Sequence, residues 1–232
     1  MNDLTQGLIQ AVQLIFSFDP NLYSVIALSL YVAGISLFFS TLVGIPIGAF
    51  LGLTRFPGRR LVMALLYTGM GFPPVVIGLF VYLIFSRSGP LGQLGWLFTP
   101  RAMSVAQMII AFPLVAGFTM AAVMSVNPNL RQQLRALGAT DWQATVAILT
   151  EAKIGVVVSL AAGFGAVISE VGAVMLTGGN IAGKTRTLTS AIILETQKGN
   201  FDLAIALGII LLILSFLTNL VMTRLQGREA HR

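Results

Sequence analysis

MSVAQMIIAFPLVAGFTMAAVMSV, residues 103–126, carries no charged side chain. A helix needs about 20 predominantly apolar residues to cross the hydrocarbon of a bilayer, so this run is a membrane span. Four more apolar runs reach the same length: Ser24–Leu53, Leu61–Phe85, Phe201–Met222 and a glycine-broken run, Lys153–Leu176. The residues therefore predict an all-α integral membrane protein with about five transmembrane helices. Residues 4–18 place Leu4, Leu8, Val12 and Ile15 on one helical face and glutamines elsewhere. That pattern predicts an interfacial helix within an N-terminal element, 1–23. If it crosses instead, the spans number six.

Composition agrees. The 232 residues are 56% hydrophobic and 9% charged, with a mean hydropathy of +0.89; soluble domains carry roughly a quarter charged residues. The net charge of +6 is spread without the Lys/Arg clusters and interleaved aromatics of a nucleic-acid binder. There is no cysteine, and His231 is the only histidine. Disulfides, thiolate chemistry, a His-based metal site and a Ser-His triad are thereby excluded. The start, MNDLTQG, lacks the basic region of a cleavable signal peptide.

Arginine placement predicts orientation, because basic flanks favour the cytoplasm. The turn TRFPGRR (54–60) holds Arg55, Arg59 and Arg60. Setting it inside puts the N-terminus, 86–102 and 177–200 outside, with 127–151 and the 225–232 tail inside. Nine Lys/Arg residues then lie inside and five outside. Six spans would move the N-terminus inside and leave the rest unchanged.

Between the third and fourth runs lies QQLRALGATDWQATVAILTE, residues 132–151. Asn127 caps a short helix with Pro128 at its first position and Leu130, Leu134 and Leu137 on one face. That helix stops at Gly138, and Thr140 with Gln143 forms the capping box of a second. Two short helices joined at a glycine make a bracket on the membrane surface that another protein can hold.

Inside the spans, Pro46, Pro73, Pro74 and Pro113 interrupt apolar runs, most densely in GMGFPPVVIG, 69–78. Broken backbone at membrane depth lines a wet cavity or marks a packed kink. A carboxylate at a span's centre costs roughly 2.5–3.5 kcal/mol on insertion scales. Glu170, amid Gly163, Gly165, Ser169 and Gly172, is thus a pathway residue or an interhelical hydrogen-bond partner. GGNIAGKT, 178–185, matches the phosphate-loop expression letter for letter. It lacks the parallel sheet and magnesium-binding acid such a loop requires. A milder reading is an anion nest of backbone N–H groups helped by Lys184 and Arg186; a basic loop docking an acidic partner fits equally.

The bracket resembles the cytoplasmic coupling motif of binding-protein-dependent ABC importer permeases, EAA---G---------I-LP. Aligned on Gly138, its first three positions fall on Gln132, Gln133 and Leu134, its isoleucine on Ile148, and its Leu-Pro ending on Thr150 and Glu151. Gly138 and Ile148 match, and Ala136, Leu137 and Ala139 keep the small apolar character. GFPPVVIGL (71–79) and GGNIAGKTRTLTSAI (178–192), the latter preceded by Glu170-Val171-Gly172, look like the molybdate/tungstate/sulfate permease group. RFPGRR, TGMGFPP and SRSGPLG are most similar to tungstate permeases of the TupB type. The resemblance covers residues 24–224.

The resemblance implies a type I ABC importer permease fold in a prokaryotic cytoplasmic membrane. It implies a homodimeric pathway, two ABC ATPase subunits that hold ATP and magnesium, and a periplasmic or lipid-anchored oxyanion-binding protein. This chain itself then holds no cofactor and no metal, and is no enzyme. Arg131, Gln132, Leu134, Arg135, Ala136, Leu137, Gly138, Ala139 and Trp142 are the expected ATPase-coupling residues. Pro73, Pro74, Glu170, Gly178, Gly179 and Asn180 are expected along the pathway or its gate. Lys184, Thr185 and Arg186 are expected to meet the anion or its binding protein. Tungstate is the expected substrate, with molybdate and sulfate permeases and a stand-alone secondary transporter as the alternatives. Glu151 replaces the usual proline, which predicts that the helix from Thr140 runs unbroken into the span at Lys153.

Overall fold

The computed structural model describes residues 19–227 and, before them, Thr5, Ile9, Val12, Gln13, Phe16 and Ser17. The expected interfacial helix over 4–18 and the tail residues 228–232 lie largely or wholly outside the described residues. Among those described, every long element is an α-helix. They are α1 (Pro20–Leu53), α2 (Arg59–Met70), α3 (Pro74–Phe85), α4 (Pro100–Ser125), α5 (Pro128–Ala136), α6 (Asp141–Glu151), α7 (Lys153–Ile168), α8 (Gly172–Gly178), α9 (Leu188–Gln197) and α10 (Phe201–Gly227). A 3-10 turn, Gly92–Leu94, follows α3.

Among the described residues, three helices are long and apolar enough to cross a membrane: α1, α4 and Phe201–Val221 of α10. The pairs α2/α3 and α6/α7 bring the number to five if each bent pair is one span. Phe38, Phe80, Leu212 and Phe216 are exposed on these helices, as lipid-facing positions should be. The first helix begins at Pro20, four residues before the expected Ser24, because the Asp19 carboxylate accepts from Asn21 N–H at 2.9 Å and starts it.

Two expected spans are broken. Leu61–Phe85 is α2 and α3, bent by 97°. Pro73 is extended, as the residue before a proline is pushed to be, and Pro74 opens α3 with no N–H to satisfy. Lys153–Leu176 stops at Ile168 and restarts at Gly172. By contrast, Pro46 and Pro113 lie inside continuous helices.

The predicted unbroken helix from Thr140 into Lys153 does not form. α6 ends at Glu151 and α7 leaves at 67°. Ala152, at the corner, is buried in a cluster with Ala49, Val123 and Ile148, and Gly155 packs closely on Ala122. Burial of that corner turns the chain without a proline.

The chain forms two compact units, each built from three separated segments. The first comprises Met1–Ser36, Pro73–Gln107 and Val167–Leu220. Its core gathers Leu22, Leu188, Ala191, Leu207 and Ile210, with a second cluster of Val32, Met103 and Val174. Ser36 Oγ donates to Ser104 O at 3.1 Å, and Gln107 Nε2 to Val167 O at 2.8 Å, both buried.

The second comprises Leu37–Phe72, Met108–Ala166 and Val221–Arg232. Here α1 lies against α4 along Gly44, Gly48 and Gly52, one turn apart. An added Cβ would fall 2.4 Å from Ala116 O at Gly48 and 2.8 Å from Val123 Cγ1 at Gly52. Small residues at this spacing let helix backbones meet in a membrane, where apolar solvent gives no hydrophobic drive. Buried Thr119 and Ser159 pair their hydroxyls at 3.2 Å.

Gly48→Ala is therefore expected to destabilise the protein by about 1–3 kcal/mol, the usual cost of overpacking. Gly34→Ala, where nothing lies within 4 Å of the added Cβ, should be neutral. Thermal unfolding of both variants in detergent checks this.

Candidate functional site

Two constellations carry the expected functional residues, one in each unit. In the second unit the bracket forms as the sequence predicts. Asn127 caps α5 by accepting from Asn129 N–H at 2.9 Å, with Pro128 at the first position. The helix closes in a Schellman turn: Gly138 N–H donates to Arg135 O and Ala139 N–H to Leu134 O, each at 3.0 Å. Gly138 sits at φ +89°, the left-handed region that such a turn demands. Thr140 then caps α6, with Gln143 Oε1 accepting from Thr140 N–H at 2.8 Å to complete the capping box.

The leucine face is only partly as expected. Leu130 and Leu134 are half-buried, Leu130 against the Ala49/Val123/Ile148/Ala152 cluster. Leu137 lies past the helix end as its C-cap and is 85% exposed, and Trp142 is 75% exposed. Gln132, Ala136 and Gly138 are exposed and Ala139 is half-buried. The bracket thus presents two large apolar side chains with a polar surround.

Arg131 and Arg135 do more than surround that contact. Both donate to Asp141 Oδ1, Arg131 at 3.2 Å. Arg131 Nη1 also donates to Leu53 O at 3.1 Å, at the end of α1. Asp141 opens α6, where a carboxylate also favours the helix dipole. One arginine therefore ties both bracket helices to α1. The sequence signal for this was Asp141 at a helix start, ten residues after a basic helix residue.

In the first unit the residues expected at a gate come together around α8. Gly78 of α3 meets Ala173 so closely that a Cβ would lie 2.5 Å from its Cα, and Gly172 meets Val75 similarly. The PPVVIG stretch and the Glu170–Gly178 stretch are thus one packed contact. Glu170 is buried, but it stands between helices rather than at a helix centre. Its Oε1 accepts from Ala173 N–H at 2.8 Å, and its carbonyl accepts from Thr189 Oγ1 at 2.9 Å. The carboxylate caps α8.

The loop after α8 is held by its own side chains. Gly179 and Asn180 are both left-handed, at φ +72° and +51°. Asn180 Oδ1 accepts from Arg186 Nε at 3.2 Å and Ser190 Oγ at 3.0 Å. Thr185 is fully buried; it donates to Gly178 O at 2.6 Å and accepts from Ile181 N–H at 3.0 Å. Leu188 N–H donates to Ser29 Oγ at 2.9 Å, tying the start of α9 to α1. At the far end of α9, a hydrogen bond from Asn200, with Lys198 beside it, holds the Glu195 carboxyl below its ordinary pKa.

These bonds bear on two expectations. GGNIAGKT follows a helix, and its threonine hydroxyl is spent inside the loop. The backbone N–H groups of Gly179, Ile181, Lys184, Thr185 and Arg186 all donate within the protein, so none of these five is left for an anion. The loop offers side-chain charge instead: Lys184 is exposed and Arg186 half-buried.

Residues 44–231 match the family of binding-protein-dependent transport system inner membrane components. The chain belongs to this family. This ABC importer permease is therefore a multi-pass membrane protein. It is 43% identical over 216 residues to a "probable anion ABC transporter permease protein" of Haloferax volcanii, covering 91% of this chain and 93% of that one. It is 38% identical over 226 residues to the tungstate uptake system permease protein TupB of Peptoclostridium acidaminophilum, covering 97% and 99%. The permease also resembles a chain of the bacterial alginate ABC transporter solved with its pentasaccharide-bound periplasmic protein, at TM-score 0.73 and 22% identity. That match covers 96% of this chain and 86% of that one, and carries the fold alone.

At Gly138 nothing lies within 4 Å of an added Cβ, so substitution acts through backbone conformation only. Gly138→Val should cost about 1–2 kcal/mol of left-handed strain and impair transport. Gly138→Asn, which tolerates that conformation, should keep most of it. Uptake and unfolding midpoints of the two variants provide the check.

Proposed function

We propose that this permease forms the tungstate pathway of an ATP-driven importer, as a homodimer gripped by two ABC ATPases through its brackets. The observation that carries the substrate is the 38% identity to a tungstate permease across 97% of the chain. A tetrahedral oxyanion is the coarser class, which also accommodates the anion permease of Haloferax. The chain is a transport subunit without ATP chemistry of its own; ATP and magnesium belong to the partner ATPases.

Orientation follows from charge. The connections on the bracket's side of the spans, with the C-terminal tail, hold nine of the chain's basic residues, and those on the side of the 177–200 loop hold five. Basic flanks face the cytoplasm, so the bracket meets the ATPases inside and the 177–200 loop faces out. The N-terminus is outside and the C-terminus inside. A periplasmic or lipid-anchored binding protein delivers the oxyanion on the outer side, where Lys184 is free to engage its acidic rim or draw the anion.

Coupling is carried by the exposed pair Leu137 and Trp142. ATP binding closes the ATPases and draws the two brackets together, and the corner at Ala152 passes that movement to α7. Glu170 and Asn180 keep the α8 segment in one shape while it happens.

Leu137→Ala and Trp142→Ala should each leave unfolding unchanged, because neither side chain is buried, and should reduce substrate-stimulated ATPase activity at least roughly tenfold, as expected for a contact worth above 1.4 kcal/mol. For the substrate, ATPase activity of the reconstituted complex is measured with binding protein loaded in turn with tungstate, molybdate and sulfate. Stimulation strongest with tungstate is expected; equal stimulation by sulfate overturns the tungstate reading. Uptake by liposomes that contain this chain alone overturns the ATP-coupled one.

A further inference from the structure

Beside the bracket lies a pocket of about 270 Å³ in the second unit. Three arginines line it: Arg55 from the turn after α1, Arg59 from the start of α2, and Arg131 from α5. Asn127, Leu53 and Met124 are among its other walls, and no lining residue is acidic. The transport reading uses Arg131 as a tie and leaves the other two arginines without a role.

Hydrogen bonds hold Arg59 and Arg131 in place while leaving donors over. Arg59 Nε donates to Leu51 O at 2.8 Å. Arg131 spends its two terminal nitrogens on Leu53 O and Asp141. Its Nε is buried and has no acceptor among the described residues. Arg55 lines the pocket, is exposed, and has no hydrogen-bond or ion-pair partner among the described residues. Asp141, the nearest carboxylate in this network, is already shared by Arg131 and Arg135. Three arginines around one concavity therefore face no acidic wall residue, and the carboxylate bonded to Arg131 is shared with Arg135. Guanidinium forks match phosphate-type oxygens, and concave basic sites concentrate anions. The apolar walls suit a ligand that also carries a hydrocarbon part.

We propose that this pocket binds a phosphate-class oxyanion, either the headgroup of an anionic phospholipid or a free inorganic anion, through Arg55, Arg59 and Arg131. An anion seated there contacts the same arginine that ties the bracket to α1. The site is distinct from the bracket surface that displays Leu137 and Trp142.

The test uses the full-length chain and its Arg55→Gln variant, chosen because Arg55 holds nothing else in place. Arg87→Gln, an exposed arginine in the other unit, controls for total charge. In one arm, nanodiscs of equal phosphatidylcholine and phosphatidylglycerol are dissociated and the lipid retained is read by native mass spectrometry. In the other, pure phosphatidylcholine nanodiscs are titrated with inorganic phosphate. Phosphatidylglycerol retained by the wild type and lost in Arg55→Gln supports the site with a lipid source. Phosphate binding weakened roughly tenfold in Arg55→Gln, as loss of one charge-assisted contact implies, supports it with a free anion. No binding in either arm, or an equal loss in Arg87→Gln, overturns the site.

Discussion

In hydrocarbon a backbone N–H or C=O without a partner costs several kcal/mol, and no water is at hand to take it. The architecture of this permease follows from that constraint. Where the helices run unbroken, the backbone satisfies itself. Where they break, the protein supplies the missing partner locally. Pro74 brings no N–H to the α2/α3 break. Glu170 accepts the N–H of Ala173 at the start of α8. Thr185 serves Gly178 and Ile181 together, and Ser29 of α1 accepts from Leu188 at the start of α9. The polar residues of these segments supply such partners, and they permit the breaks.

This recasts the buried acid. From sequence alone, Glu170 at a span's centre is the sharpest candidate for a pathway residue. In the structure it occupies an interruption and caps the helix that follows, in contact with the α9 start through Thr189. A capping carboxylate fixes the direction of α8 and, through Gly78 against Ala173, the direction of α3. Position along the pathway and a structural bond are then compatible roles for one residue.

Much of the fold was legible in the sequence. Span length, the bracket's caps and the glycine stop are set by local chemistry: side-chain oxygens at Asn127 and Thr140, and a left-handed Gly138. What escaped is what depends on partners distant along the chain. The bend at Ala152 is decided by packing on Ala49 and Val123, although a missing proline argued for a straight helix. The close approach at Gly44, Gly48 and Gly52 depends on Ala116 and Val123 of α4, far along the chain. The tie from Arg131 to α1 depends on Leu53, 78 residues away.

The short connection Leu137–Thr140 is fastened on both sides, by the Schellman turn behind it and the capping box ahead of it. Neither half can loosen without giving up paired backbone bonds. A force applied at Leu137 therefore swings the elbow as one piece instead of unwinding it. Work done on the protein at this point is delivered as displacement, and little is dissipated in local melting.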